Sequence, residues 1–233
     1  MPHTLNLLCA GAAQGLVTRL APRLAAELDA VTAGRFGAVG AMREAFDAGE
    51  PCDVVVSTQA IIEQMAAAGQ VLAGSAAPLG RVYTGVAVRT ADPDPAVATP
   101  QALAVALSAA DAVYFPDPAR ATAGIHFAKV LRELGLWDAL QPRLKTYPNG
   151  ATAMRELAAA TSPRPIGCTQ VTEILNTPGA RLVALLPPEF ELATVYTAAV
   201  ASRSADATRA AQFVAMMAGE ASAALRQTCG FEA

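Results

Sequence analysis

Apolar and polar positions along this chain switch between two periods, and the switches outline its elements. The run TLNLLCA at 4–10 is almost continuously apolar, which predicts a buried strand. Leu16, Leu20, Leu24 and Leu28 then recur at every fourth position, which predicts an amphipathic helix over 15–30. A short strand is expected at 35–38, a helix at 40–48 ended by Gly49, a strand at 53–57, and a helix at 59–68 stopped by Gly69. A second block has the same rhythm. It opens with a long strand at 81–89 and a Pro- and Asp-rich loop at 90–100. A helix at 101–110, a strand at 111–115 and a loop at 116–124 lead into a helix at 124–134. Strands at 144–147, 166–170 and 181–186 enclose helices at 151–160 and 171–175. The chain closes with a strand at 193–200, a helix at 206–218 and a short helix at 219–228.

Strands alternating with helices through short turns imply an α/β fold, with parallel strands covered by helices on both faces. In such sheets ligands sit at the carboxyl ends of strands, beside helix N-termini. The turns at 11–15, 37–40 and 57–59 are of that kind, and all are small or polar. Two such blocks and a C-terminal return suggest two lobes with a cleft between them.

Composition narrows the function. Of 233 residues 53% are hydrophobic, but only 5% are aromatic and 16% charged, a composition that excludes intrinsic disorder. The net charge is −3, so the basic excess that neutralises nucleic-acid phosphates is missing. The mean hydropathy is positive. Yet the apolar stretches at 102–110 and 192–201 fall short of the roughly 20 residues that a spanning helix needs, so no membrane insertion is expected. Residues 1–4 carry no Lys or Arg before the apolar run, which predicts a cytoplasmic protein; removal of a leader would make it periplasmic. Cysteines 9, 52, 168 and 229 form no CxxC pair, so neither a zinc site nor a redox motif is indicated. No GxSxG, Walker or HExxH pattern is present, and no cofactor or metal is expected.

Four segments together carry a family resemblance. LLCAGAAQGLV resembles the first strand and turn of bacterial solute-binding proteins of the molybdate-binding type. FGAVGAMREAFDAGEPCDVVVS is similar to that family's second block, FPDPARATAGIHFAKVLRELGLWDAL to its DP…AGI.AK..L..LG.W segment, and PIGCTQVTEI to a later strand. The family includes a branch resembling aconitate isomerase. The resemblance implies a two-lobed type II periplasmic-binding-protein fold, with lobe I at 1–80 plus 190–233 and lobe II at 81–189. The crossover strands would be 81–89 and 193–200, with the ligand in the cleft. The family is normally monomeric, and an ABC permease would be the partner of an exported member.

The resemblance also implies a ligand set, and the departures from it shape the functional reading. Ala12 stands where the family places a hydroxyl, Val39 where it has a serine, and Gln170 where it has a tyrosine; Ala123 is kept. Each lost donor would leave a ligand oxygen unpaired at about 1–3 kcal/mol, which argues against molybdate or tungstate. Backbone N–H groups at 12–14 (Ala12, Ala13, Gln14), at 39–41 (Val39, Gly40 and the next residue) and at 123–125 would remain, and helix N-termini favour anions. Polar candidates are Gln14, Ser57, Thr58, Arg120, Thr122, Asn149, Thr169 and Gln170, with helix capping the competing role of Ser57, Thr58 and Thr122. The set fits a small organic di- or tricarboxylate. The alternatives are a cofactor-independent isomerase of an unsaturated tricarboxylate, with Glu173, His126 or Cys168 as acid–base groups, and a molybdate or tungstate transport receptor.

Overall fold

The computed structural model describes residues 2–233. In chain order the elements are β1 (His3–Ala10), α1 (Gln14–Leu28), β2 (Ala30–Gly37), α2 (Val39–Asp47), β3 (Val54–Thr58), α3 (Gln59–Ala67), β4 (Ala77–Arg89) and α4 (Pro100–Ala109). There follow β5 (Ala112–Pro116), α5 (Thr122–Glu133), α6 (Trp137–Leu140), β6 (Leu144–Tyr147), α7 (Gly150–Ala158), β7 (Pro165–Gln170), α8 (Val171–Leu175) and β8 (Ala180–Leu185). The chain ends with β9 (Ala193–Val200), α9 (Ala207–Ala218) and α10 (Ala223–Thr228). It divides into two compact units, Met1–Val82 with Thr194–Ala233, and Tyr83–Ala193. The chain passes from one unit to the other within β4 and returns at the start of β9.

In the first unit β1 pairs in parallel with β2 and β3, and β9 closes the far side antiparallel to β3. Alternation along the strands sorts side chains to two faces. Leu5, Leu7, Val54 and Val56 pack with Leu16, Leu20 and Leu24 of α1 and Phe213 of α9. Leu8 and Val55 point the other way, onto Met42 and Phe46 of α2 and Ile62 and Met65 of α3. The second unit repeats the plan: β5 lies parallel to β6 and β7, and β4 runs antiparallel to β7 and β8. Val86, Phe115 and Cys168 pack on Leu103, Leu107, Phe127 and Leu131, while Ala87 faces Met154, Leu157 and Ile174. Sheets covered on both faces need near-continuous apolar strands, and this explains the low share of charged residues.

Four elements differ from the sequence pattern, one of them α6 at Trp137–Leu140, where no element is expected. β2 is twice the expected length and pairs with β1 from His3↔Ala30 to Ala10↔Gly37. As an edge strand it leaves Val31, Ala33, Gly34 and Arg35 exposed, so no apolar run announces it. Gly34 is required there, because a Cβ would lie 2.0 Å from the Leu7 carbonyl oxygen. β4 begins at Ala77 rather than 81, through Pro78 and Gly80, which read as breakers. The final helix is a 3-10 turn at Glu220–Ser222 followed by α10.

Asp53 ties the first unit together. It is 2% exposed, and its oxygens accept from the Asn6 backbone N–H (2.7 Å) and Asn6 Nδ2 (3.1 Å), the Ser204 hydroxyl (2.7 Å) and the Ala205 N–H (2.9 Å). Burial alone would raise its pKa, but these donors hold it below the ordinary carboxylate value. A depressed folded pKa means that the stabilisation is complete above the unfolded value and is lost as pH falls through the folded one. Asp53→Asn, which points amide hydrogens at existing donors, is expected to cost about 2 kcal/mol. It should also flatten the acid limb of the stability profile. Urea unfolding from about pH 7 to about pH 3 checks this, and an unchanged profile would contradict it.

Candidate functional site

Parallel pairing brings the carboxyl ends of β1, β2 and β3 to one edge of the first unit, and the next helix starts directly after each. Ala12 and Ala13 form a buried 3-10 turn after β1, and Gln14 opens α1. Val39 and Gly40 open α2, while Ser57 and Thr58 end β3. The N-cap positions of α1 and α2 are Ala13 and Ala38, which have no capping group, and Thr58 occupies the N-cap of α3 without making a side-chain cap. None of the three helices carries an acidic residue in its first turn. By contrast α4 and α9, which start at the opposite edges, are capped by Thr99 and Asp206. First-turn N–H groups without caps and without nearby carboxylates suit an anionic ligand.

β9 adds a residue to this edge that sequence reasoning missed. Thr197 lies opposite Ser57 in the antiparallel register and is 4% exposed; its hydroxyl has no hydrogen-bond partner. It lines a cavity of about 240 Å³ with Gln59, Ile62, Glu63, Ala66, Ala76 and Pro78.

In the second unit the carboxyl ends of β5, β6 and β7 share an edge. Thr122 and Ala123 open α5 behind Ala121, again with no side-chain cap. Gly124 allows this turn to lie against the end of β5, because a Cβ would come within 2.3 Å of the Pro116 and Asp117 carbonyl oxygens. The Arg120 side chain is exposed, and its backbone N–H donates to Asp117 Oδ1. Asn149 serves as a cap: its Oδ1 accepts from Thr152 N–H at 2.8 Å at the start of α7. Gln170, the last residue of β7, is 2% exposed, and neither Oε1 nor Nε2 has a partner. Thr84 of β4 faces it in register with a buried, unpartnered hydroxyl. Thr84 and Thr197 both stand in a Val-Tyr-Thr triplet, the one signal in the sequence that could have marked them.

The acid–base candidates are engaged internally. Glu173 is buried and accepts from the Thr169 hydroxyl at 2.6 Å and from the backbone N–H groups of Ala151, Gly150 and Gln170. Burial nevertheless pushes its pKa up, outweighing those four donors. The Glu173 carboxylate thus occupies the N-terminus of α7, where an external anion would otherwise sit. His126, on α5, donates from Nε2 to the Phe190 carbonyl oxygen at 2.7 Å. Burial pushes the Cys168 thiol up, away from the reactive thiolate. Among the described residues no group of three or more His, Cys, Asp or Glu could hold a metal, and no helix is long and apolar enough to cross a membrane.

Two α/β units, each with helices starting at the carboxyl edge of its parallel strands, define the periplasmic-binding-protein class of fold. Solved structures share it. The periplasmic molybdate-binding protein of Azotobacter vinelandii matches with a TM-score of 0.79 at 21% identity, covering 98% of this chain and 99% of that one. The sulfate-binding protein of Mycobacterium tuberculosis H37Rv matches with a TM-score of 0.72 at 16% identity, covering 98% and 86%. Residues 5–232 match the sequence profile of the bacterial extracellular solute-binding proteins, and the chain belongs to that family. An aconitate isomerase from a Pseudomonas species is 27% identical over 210 residues, which span 86% of this chain and 77% of the relative.

Proposed function

We propose that this solute-binding protein takes a small organic polycarboxylate, a di- or tricarboxylate, rather than a metal oxyanion. The observation that carries the reading is Gln170. A buried amide with both atoms unpartnered, at the carboxyl end of a strand, is poised for a planar, hydrogen-bonding solute. Ala12 and Val39 supply no side-chain donor at the two turns where the resemblance places hydroxyls, which weakens the case for a tetrahedral oxyanion. The kinship with an aconitate isomerase adds support, since the substrate its name prints is a tricarboxylate. Delivery to a membrane permease belongs to the same proposal for an exported form.

A second reading is isomerisation of an unsaturated tricarboxylate on the same surface, and the 27% identity favours it. Such chemistry needs a base within hydrogen-bond reach of the substrate. The engagement of Glu173 and His126 in internal hydrogen bonds supports binding over turnover.

A thermal-shift panel tests the proposal. Citrate, tricarballylate, malate and succinate are the organic probes; molybdate, tungstate and sulfate are the oxyanions. At a hundredfold excess over Kd a ligand adds about 2.7 kcal/mol, which raises the midpoint by several degrees. Stabilisation by at least one organic acid and by none of the oxyanions is expected, and the reverse order would reject the proposal.

A further inference from the structure

Among the described residues, five buried polar side-chain atoms of the second unit have no hydrogen-bond partner: Thr84 Oγ1, Gln170 Oε1, Gln170 Nε2, Thr172 Oγ1 and Ser162 Oγ. Three of them, Thr84 Oγ1, Gln170 Oε1 and Gln170 Nε2, belong to one cross-strand pair. Thr84 and Gln170 face each other in the antiparallel β4–β7 register, so their side chains leave the sheet on the same face as close cross-strand neighbours. They are 1% and 2% exposed. No hydrogen bond joins them to each other or to any described group. The backbone of Thr84 is already engaged, its N–H donating to Leu192 O and its carbonyl accepting from Leu186 N. Of the other polar side chains at this edge, Thr169 donates to Glu173 and Asn149 caps α7, while Thr172, in the first turn of α8, keeps a buried hydroxyl without a partner.

The chemistry of the pair's atoms constrains what can satisfy them. The amide offers two N–H donors on Nε2 and an acceptor on Oε1, and the hydroxyl offers one donor and acceptor lone pairs. A fully ionised carboxylate, like sulfate or molybdate, only accepts. It can take hydrogens from Nε2 and from the Thr84 hydroxyl, but it leaves Oε1 facing further oxygens with no hydrogen between them. Exchanging the amide's O and N assignments changes nothing, because one acceptor remains either way. A solute that carries its own hydroxyl beside a carboxylate supplies the missing donor.

We propose that Thr84 and Gln170 act as a pair that selects a hydroxycarboxylate. Nε2 and the Thr84 hydroxyl donate to the ligand's carboxylate, and Oε1 accepts from the ligand's hydroxyl. The inference rests on the polycarboxylate reading and narrows it to hydroxylated members of that class. It adds Thr84 as a specificity-determining residue.

Matched solutes that differ by one hydroxyl test it: citrate against tricarballylate, and malate against succinate, titrated calorimetrically into the full chain. The hydroxylated member of at least one pair is expected to bind about tenfold tighter or more, the scale of one buried hydrogen bond left unmade. In Thr84→Val, which keeps the side-chain shape, the hydroxylated ligand should weaken about tenfold with the melting temperature maintained. Equal affinities within both pairs would overturn the hydroxyl assignment and leave the polycarboxylate reading standing. No binding by any of the four would overturn both. Unchanged affinity in Thr84→Val would remove Thr84 from the site.

Discussion

Replacing Gly150 with alanine is expected to destabilise the protein by roughly 3–5 kcal/mol, the combined scale of overpacking and of a buried hydrogen-bond network pulled apart. A Cβ at 150 would lie 1.9 Å from Glu173 Oε2, 2.0 Å from Thr169 Oγ1 and 2.5 Å from Glu173 Cδ. No rotamer change at 150 relieves this, because the Cβ position is fixed by the backbone. The Glu173 carboxylate would have to withdraw from the N–H groups of Gly150, Ala151 and Gln170 that it now satisfies. A buried carboxylate that loses donors is costly, and α7 would lose the partner of its first turn. Denaturant unfolding measures the effect; a loss below about 1 kcal/mol would show that the network yields more easily than its geometry implies. Since Glu173 also holds the Gln170 N–H, weaker solute binding should accompany the loss of stability.

Gln170→Met should move stability and binding in opposite directions. Removing two unpartnered polar atoms from a buried position relieves a desolvation cost of about 1–3 kcal/mol, so the ligand-free protein is expected to become more stable by about 1 kcal/mol. Affinity for the organic solute should fall at least about tenfold, because the amide's hydrogen bonds to it are gone. Paired unfolding and titration experiments separate this from a packing role, in which both quantities would decline together. A variant that lost stability and kept its affinity would place the solute elsewhere.

The parts of the fold legible in the sequence are those whose physics is local. β1, β3 and β5 are buried on both faces and appear as short apolar runs, while α1 and α5 show their inward stripes. β2 is concealed because an edge strand has no such run, and the start of β4 because Pro78 and Gly80 interrupt a strand that the long pairing tolerates. The site divides in the same way. Ala12, Val39 and Gln170 lie in strand-to-helix turns, which small and polar residues announce, and the structure places all three at strand carboxyl ends. Thr84 and Thr197 lie inside strands, where a single threonine looks like ordinary alternation. Their significance depends on the pairing register with Gln170 and Ser57 across more than eighty positions of chain, which no local pattern encodes. The role of Glu173 is similarly nonlocal. Its spacing of four from Thr169 is visible in the sequence, whereas its grip on the start of α7 is not.

Whether the amide and hydroxyl groups at the strand carboxyl ends take an organic polycarboxylate in place of a tetrahedral oxyanion is decided by competition between the two kinds of solute. Whichever of citrate, malate, tricarballylate and succinate stabilises the protein most is titrated into it alone and again with excess molybdate at matched ionic strength. Saturable binding of that acid, with an affinity that molybdate leaves unchanged, is expected. Saturable binding of molybdate, with all four organic acids silent or displaced by it, would reject the polycarboxylate reading.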